Sequence, residues 1–259
     1  MNTFYFQTHD TRREFLPFYR VAWNSLLSVL NDERVVVLNR GASPEMVAQI
    51  PKRFEVITSP DRYPGIYEGF GYHLERWHIM GGDPQERVIA LDCRDMLFQR
   101  NPFDDLQSGL TVLGEGVTHA ECPWNIRDQN EVRRNIFPHV PRPMGPWQVV
   151  CPALYGGDRR LVRWMILMVG HMGTMQINGG TDQGSLNYII NQYMIGNDPD
   201  VRIADHRTCD LCLGGYDIRV TGCYERDGLI ICPKTDRPYA LFHQWDRTQW
   251  CNETLKKWS

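Results

Sequence analysis

The sequence predicts an α/β domain built on a mixed, mainly parallel sheet flanked by helices, with a small antiparallel region towards the C-terminus. Three observations carry that expectation. Short β-branched runs alternate with amphipathic stretches through the first third of the chain, the pattern of a doubly wound sheet. The run Val88-Ile89-Ala90-Leu91 has no polar residue and reads as a strand buried on both faces. After residue 200 the apolar runs become short and are separated by turn residues. At 259 residues the chain can bury one sizeable core, so a single domain over 1–259 is expected, with its composition changing near residue 105.

Residues 3–7 alternate aromatic and polar side chains as a first strand, with a loop at 8–11. Leu16, Tyr19, Trp23, Leu26, Leu27 and Leu30 then recur at helical spacing over 14–30, with Pro17 in the first turn, where its missing N–H costs nothing. A second strand at 34–38 completes a βαβ unit, which calls for parallel pairing and a right-handed crossover. Ser43 and Pro44 open a short helix to Ile50 as N-cap and first residue, and 54–58 is the third strand. A helix over 66–80 turns Tyr67, Phe70, Leu74, Trp77 and His78 inward and stops at Gly81-Gly82-Asp83-Pro84. The strand 88–91 follows.

Beyond Pro102 the pattern changes. Residues 110–113 read as a strand, and 115–146 as a long polar region with one short helix at 130–137. A loop of that length in a compact domain is usually functional, a lid or a wall facing a second substrate. Trp124, Phe137 and Trp147 argue against disorder, which is poor in aromatic residues. Residues 149–157 form a strand running into the pair Gly156-Gly157, and 159–172 a helix. Thr181 caps a further helix to Met194, placing Asp182 and Gln183 in its first turn, where free N–H groups favour anions. Short strands at 201–204, 218–221, 229–232 and 239–242 make up the antiparallel region.

The formal charge of -3 provides no field for gripping nucleic acid or an anionic membrane. No G-x-G-x-x-G follows the first strand and no G-x-x-x-x-G-K-[ST] occurs, so any nucleotide phosphate must be held by other means. No run of eighteen apolar residues could span a bilayer, and the N-terminus enters strand-like alternation without a signal-peptide core. A cytoplasmic protein is expected. The eight cysteines lack the dense spacing of a disulfide scaffold and read as free thiols. Cys209-x-x-Cys212 with Cys223 and Cys232 fits a zinc site poorly, because eight residues separate the second pair rather than two to four.

The strand 88–91 stops abruptly at Asp92 and Asp95. In open α/β sheets the ligand crevice lies beyond the carboxyl ends of the strands, so both carboxylates would be presented there. Paired carboxylates on a fixed turn suit a hard divalent cation that also binds phosphate oxygens. The competing structural reading is a turn in which Asp95 caps the next segment and Asp92 pairs with an arginine.

The stretch LDCRDMLFQRNPFD resembles the acidic metal-binding segment of GT-A fold glycosyltransferases, in the form where Asp-x-Asp has become Asp-x-Arg-Asp. Arg94 holds the place of the second Asp, which leaves open whether Asp92, Asp95 or both meet the metal. Three further stretches extend the resemblance over roughly residues 3–247. Arg76, in YHLERWHIM, is similar to the arginine that faces the donor sugar or its diphosphate; otherwise it is a salt bridge on a solvated helix face. GGTDQGSLNYII is similar to the family's Asp-Gln helix start, which puts Asp182 beside the transferred sugar; otherwise Asp182 serves the helix dipole and Gln183 and Asn187 are satisfied polar neighbours. YALFHQWDR is similar to the terminal segment whose histidine, here His243, completes the metal site.

The resemblance implies a Rossmann-like GT-A domain with a nucleotide-binding half (1–105) and an acceptor-side half (106–259). It implies a metal-dependent glycosyltransferase of bacterial or viral origin, since the N-terminal anchor of Golgi enzymes is missing. Mn²⁺ or Mg²⁺ would sit on Asp92, Asp95 and His243, and a nucleotide-sugar donor, UDP-sugar favoured over GDP- or dTDP-sugar, would meet Thr8, Arg76, Arg94 and Gln183. Asp182 is the expected base if transfer inverts the anomeric carbon, and orients the sugar if it retains configuration. The acceptor would be a glycan or another hydroxyl compound, with Trp124, Trp147 and Trp245 as stacking platforms or core residues. Two other readings stand beside this one. A nucleotidyltransferase on the same scaffold should carry a basic, glycine-rich loop after the first strand, and QTHDTRREF has no glycine. A non-catalytic carbohydrate-binding protein would use the acidic turn structurally.

Overall fold

The computed structural model describes residues 1–8, 13–59, 68–123, 127, 147–175, 181–191, 198–205, 209–213, 222–248 and 250–258. Strands β1 (Thr3–Thr8), β2 (Arg34–Asn39), β3 (Glu55–Thr58) and β4 (Arg87–Leu91) are parallel neighbours, with β1 between β2 and β4. The short β5 (Met96–Phe98) leaves that sheet. Strands β6 (Leu110–Thr118), β7 (Gln148–Asp158) and β8 (Val201–Asp205) complete seven strands in the order β3-β2-β1-β4-β7-β6-β8. Only β7 is reversed, being antiparallel to both β4 and β6, while β8 lies parallel to β6.

Each face of the sheet carries its own core, as the period-2 alternation of the strands demands. Phe4, Phe6, Val35, Val37, Ile89 and Leu91 face α1 (Leu16–Val29), which contributes Tyr19, Trp23 and Leu26. Tyr5, Val36, Val88, Ala90 and Tyr155 project from the opposite face. That face is covered by α3 (Glu68–Ile79), α4 (Arg159–Met175) and α5 (Asp182–Ile189). The short α2 (Pro44–Val47) begins as predicted, with the Ser43 hydroxyl accepting the Met46 N–H at 3.2 Å. Thr181 caps α5 in the same way, accepting from Gly184 at 3.0 Å.

Beyond the large sheet, β10 (Tyr224–Arg226) and β11 (Leu229–Ile231) form an antiparallel hairpin. Strand β12 (Leu241–His243) pairs antiparallel with β5 and parallel with β9 (Cys212–Leu213). The chain continues into α6 (Cys251–Trp258), which the sequence reading did not anticipate. Five expectations need correction. Residues 201–205 belong to the main sheet rather than to the small region, and that region is mixed rather than purely antiparallel. Strand β6 continues to Thr118, so the first residues of the expected long loop are strand. Helix α2 stops at Val47, short of Ile50. His78 faces solvent, and only Leu74 of the expected inward residues on α3 that are described is fully buried. The expected strand 218–221, the helix 130–137, Tyr67 and Trp124 lie outside the described residues, and of Phe70 only the place on α3 is described. No helix among the described residues is long and apolar enough to cross a membrane.

Gly157 sits at φ +129° within β7, and a Cβ there would run into the carbonyl oxygen of Gly109 on the neighbouring strand turn. Gly41 also has a positive φ, +85°, but faces open space. Gly157→Ala should therefore destabilise by more than about 2 kcal/mol, and Gly41→Ala by only about 1 kcal/mol, read as urea midpoints at constant slope. Equal effects would mean that the backbone angle alone, and not the close approach, sets the cost.

His119, just past β6, is fully buried and its Nε2 lies 2.9 Å from Asn191 Nδ2. Desolvation pushes its pKa from 6.5 down to about 4. The folded state thus holds fewer protons than the unfolded chain between those values. Stability is fully present above the unfolded pKa and falls as the pH drops towards the folded one, by up to about 3 kcal/mol. In urea unfolding at stepped pH, His119→Gln should remove that component of the acid slope; an unchanged slope would assign the loss to other groups.

Candidate active site

Strand order reverses around β1. The chain builds outward through β2 and β3, then returns to the other side of β1 with β4. A crevice therefore opens beyond the carboxyl ends of β1 and β4, the usual ligand position in such sheets. Thr8 ends β1 there. It is buried, its carbonyl accepts the Arg40 N–H at 2.9 Å, and its hydroxyl has no hydrogen-bond partner among the described residues.

Asp92 follows β4 directly, its N–H held by the Ala153 carbonyl of β7 at 3.1 Å while its carboxylate stays half exposed. Arg76 reaches it from α3. One guanidinium nitrogen donates to Asp92 Oδ1 at 3.0 Å and to the Leu91 carbonyl at 2.9 Å, and the arginine itself is only 2 % exposed. The salt bridge is real, then, but it is buried at the crevice and not on a solvated helix face.

Asp95 lies buried one turn further on, with His243 Nε2 3.5 Å and Arg94 3.8 Å from its Oδ2. His243 arrives on β12, opposite Met96 of β5. Gln244 next to it adopts the left-handed conformation (φ 61°, ψ 33°), which turns its N–H back onto the Asp95 carbonyl at 2.8 Å. Burial alone would raise the Asp95 pKa, but the His243 charge and hydrogen bond, helped by Arg94, bring it down to about 2. Burial would lower the His243 pKa; Asp95, then Asp92 and Glu115, outweigh that and raise it. Arg94 spreads its guanidinium over the Phe15 ring at 4.7 Å.

Asp182 opens α5. Its Oδ1 accepts the Gln183 N–H at 2.9 Å and its Oδ2 lies 3.4 Å from Nε2 of the buried His73 on α3. Desolvation opposes the charge on Asp182, but the His73 hydrogen bond prevails and lowers its pKa. His73 stands edge-on to Tyr155 of β7, ring centres 5.6 Å apart. Gln183 donates to Glu115 of β6 at 2.8 Å, and burial raises the Glu115 pKa.

Other expected residues turn out to be structural. The Asn187 amide both accepts from and donates to the main chain of Val150, at 2.8 and 2.7 Å, mimicking a strand neighbour and pinning α5 to β7. Trp245 is wholly buried against Phe18, so it is a core residue and no platform for a sugar. The Phe-Gln-Arg-Asn portion of the acidic stretch is framework as well. Phe98 packs on Phe4 and Phe6, the Gln99 amide bonds the main chain of Ile230 and Tyr239, and Asn101 bonds Glu33 at 2.6 Å.

Five of the expected residues thus arrive in pairs, Arg76 with Asp92, His243 with Asp95, and Asp182 with the unexpected His73. His73, Tyr155, Glu115, Gln244 and Asp246 were missed. His73 alone had a readable signal, since it precedes Arg76 by three residues and so shares its helix face. Asp92, Asp95 and His243 offer the hard carboxylate and imidazole donors that suit Mn²⁺ or Mg²⁺. Among the described residues, however, no three His, Cys, Asp or Glu side chains are gathered closely enough to hold a metal ion, because Asp92 turns towards Arg76. The donor types suit such a cation, while the arrangement seen here keeps the Asp92 carboxylate on Arg76. All eight cysteines are free thiols, and Cys209, Cys212, Cys223 and Cys232 form no such group either. No family model matches the chain, and no curated protein matches it.

Breaking a buried ion pair from one side leaves an uncompensated charge. His243→Ala should destabilise the metal-free protein by about 3–5 kcal/mol, and Asp95→Asn/His243→Ala by clearly less than the two single changes summed. Additive losses in the double-variant cycle would show that the two side chains do not depend on each other.

Proposed function

We propose that the protein is a metal-dependent glycosyltransferase of the GT-A type, moving a sugar from a nucleotide-diphosphate donor to a hydroxyl acceptor. The observation that carries this reading is the meeting of His243 with Asp95 at 3.5 Å, beside Asp92 and at the switch point of a mainly parallel sheet. Segments far apart in the chain supply these groups, and each was expected there on separate grounds. The strand order and the single reversed strand are compatible with a GT-A scaffold, but a scaffold alone does not fix chemistry.

Departure of a nucleoside diphosphate from a sugar leaves negative charge on phosphate and positive charge at the anomeric carbon. Arg76 and Arg94 stand where they can take part of the phosphate charge. Mn²⁺ or Mg²⁺ held by Asp92, Asp95 and His243 would supply Lewis-acid stabilisation of the same group. Asp182, kept ionised by His73, either accepts the acceptor's hydroxyl proton in an inverting transfer or orients the sugar in a retaining one. The Thr8 hydroxyl and Gln183 complete the donor side. UDP is the preferred nucleotide.

Thermal unfolding with UDP, GDP, dTDP or CDP, each with and without Mn²⁺, tests the reading. At a hundred times its dissociation constant, the matching nucleotide should add about 2.7 kcal/mol, a rise of roughly 5 °C or more in Tm. The rise should need Mn²⁺ and vanish in Asp92→Ala/Asp95→Ala, each protein being compared with its own ligand-free Tm. No rise with any nucleotide, or one indifferent to metal and to both aspartates, would remove this mechanism and favour a carbohydrate-binding protein.

A further inference from the structure

At the opposite edge of the sheet, beside the turn that leads into β4, a cleft of about 230 Å³ opens between α3 and α4. Trp77, Met80, Arg160, Arg163, Trp164 and Leu167 form most of its wall. Since it lies where β4 begins, it is separate from the crevice where β4 ends. Arg159, which also borders it, already has partners at both terminal nitrogens. That arginine is buried, pairs with Glu86 and donates to Tyr5 Oη at 2.8 Å and to the Met80 carbonyl.

Its two neighbours on α4 are different. Arg163 lies flat on the Trp77 ring at 4.7 Å and spends only its Nε, on the Trp77 carbonyl at 3.2 Å. Stacking fixes the guanidinium plane while its terminal nitrogens remain unused. Arg160 is exposed, and neither arginine forms an ion pair among the described residues. The adjacent carboxylates are committed elsewhere: Glu86 to Arg159, and Asp83 to the N–H of Gln85 at 2.9 Å. Trp164 is 42 % exposed, one of only four large hydrophobic side chains so placed among the described residues.

Two unpaired guanidinium groups and two indole faces in one cleft are unusual on a chain of net negative charge. Guanidinium forks bind phosphate and carboxylate bidentately, and indole faces cover the apolar side of a ring. Arg163 covers one face of Trp77, but its terminal nitrogens, the Arg160 guanidinium and the exposed Trp164 indole are left for a ligand. We infer that this cleft is a second binding site, for a sugar ring that bears a phosphate or a carboxylate. The anion bridges Arg160 and Arg163, and the ring rests on the exposed Trp164. This holds whether or not the crevice on the other edge transfers sugars.

Calorimetric titration of the intact protein with glucose 6-phosphate, glucuronate, glucose and inorganic phosphate tests the inference. Both anionic sugars should bind saturably, with dissociation constants of about 1 mM or tighter, and glucose should not. Arg160→Glu, a change at an exposed position, and Trp164→Ala should each weaken binding at least tenfold while leaving Tm unchanged. Absence of saturable heat from both anionic sugars would overturn the site. Binding that Arg160→Glu leaves intact would place the anion elsewhere and overturn it equally. Inorganic phosphate bound as tightly as glucose 6-phosphate would eliminate the ring, and with it the proposed ligand class.

Discussion

The candidate site depends on one buried ion pair, Asp95 with His243. Removing either ion from water costs several kcal/mol, and their mutual attraction offsets that cost only if the geometry is held. Here the main chain holds it. Met96, Leu97 and Phe98 pair with His243, Phe242 and Leu241, and the Gln244 N–H closes onto the Asp95 carbonyl. Gln99 then stitches Ile230 and Tyr239 to β5, and Arg100 donates to the carbonyls of Pro238 and Asp210. A three-residue strand thereby fastens the C-terminal region to the turn that carries the acidic residues. Without that fastening His243 would have no fixed position, and Asp95 would keep only Arg94, 3.8 Å away, as a counter-charge.

Much of this architecture was legible because it rests on local rules. Unbroken apolar runs of four residues mark β2 and β4, alternation marks β1, and Ser43 and Thr181 announce their helices through their hydroxyls. The reversal of β7 left no trace in the sequence. A strand buried on both faces has the same composition in either direction, and direction is set by which neighbours remain available. Strand β5 escaped notice because three residues carry no period, and 201–205 looked like its short neighbours until its pairing with β6 was known. The inward set on α3 was misread at His78 because Trp77, half buried under Arg163, occupies the boundary of the apolar stripe.

Site residues were legible by position more than by partnership. Asp92 and Asp95 announce themselves by ending an apolar strand, and His243 by ending another. Nothing local could reveal that Arg76 belongs to Asp92 or His73 to Asp182, since each pair joins separate elements. The Phe-Gln-Arg-Asn stretch shows the opposite confusion. It looks like part of a functional motif, and its side chains are spent on packing and on main-chain clamps.

Taken together, the crevice is an array of paired opposites. Arg76 meets Asp92, the raised pKa of His243 lets a proton face Asp95, and His73 faces Asp182. Burial pushes the remaining carboxylates, Glu115 and Asp246, towards the neutral form. Such an array resists a ligand of a single sign. A bare diphosphate would gain Arg76 but confront Asp92, and a bare cation would gain Asp92 but confront Arg76. A cation and a diphosphate arriving together escape that conflict, since Asp92 can turn to the cation while Arg76 turns to phosphate. A metal ion at this place would have Asp92, Asp95 and His243 as its donors. On this electrostatic ground metal and nucleotide should bind with positive coupling, each strengthening the other through the partner that the other releases. A carbohydrate, which is neutral, would have no reason to break any of the three pairs.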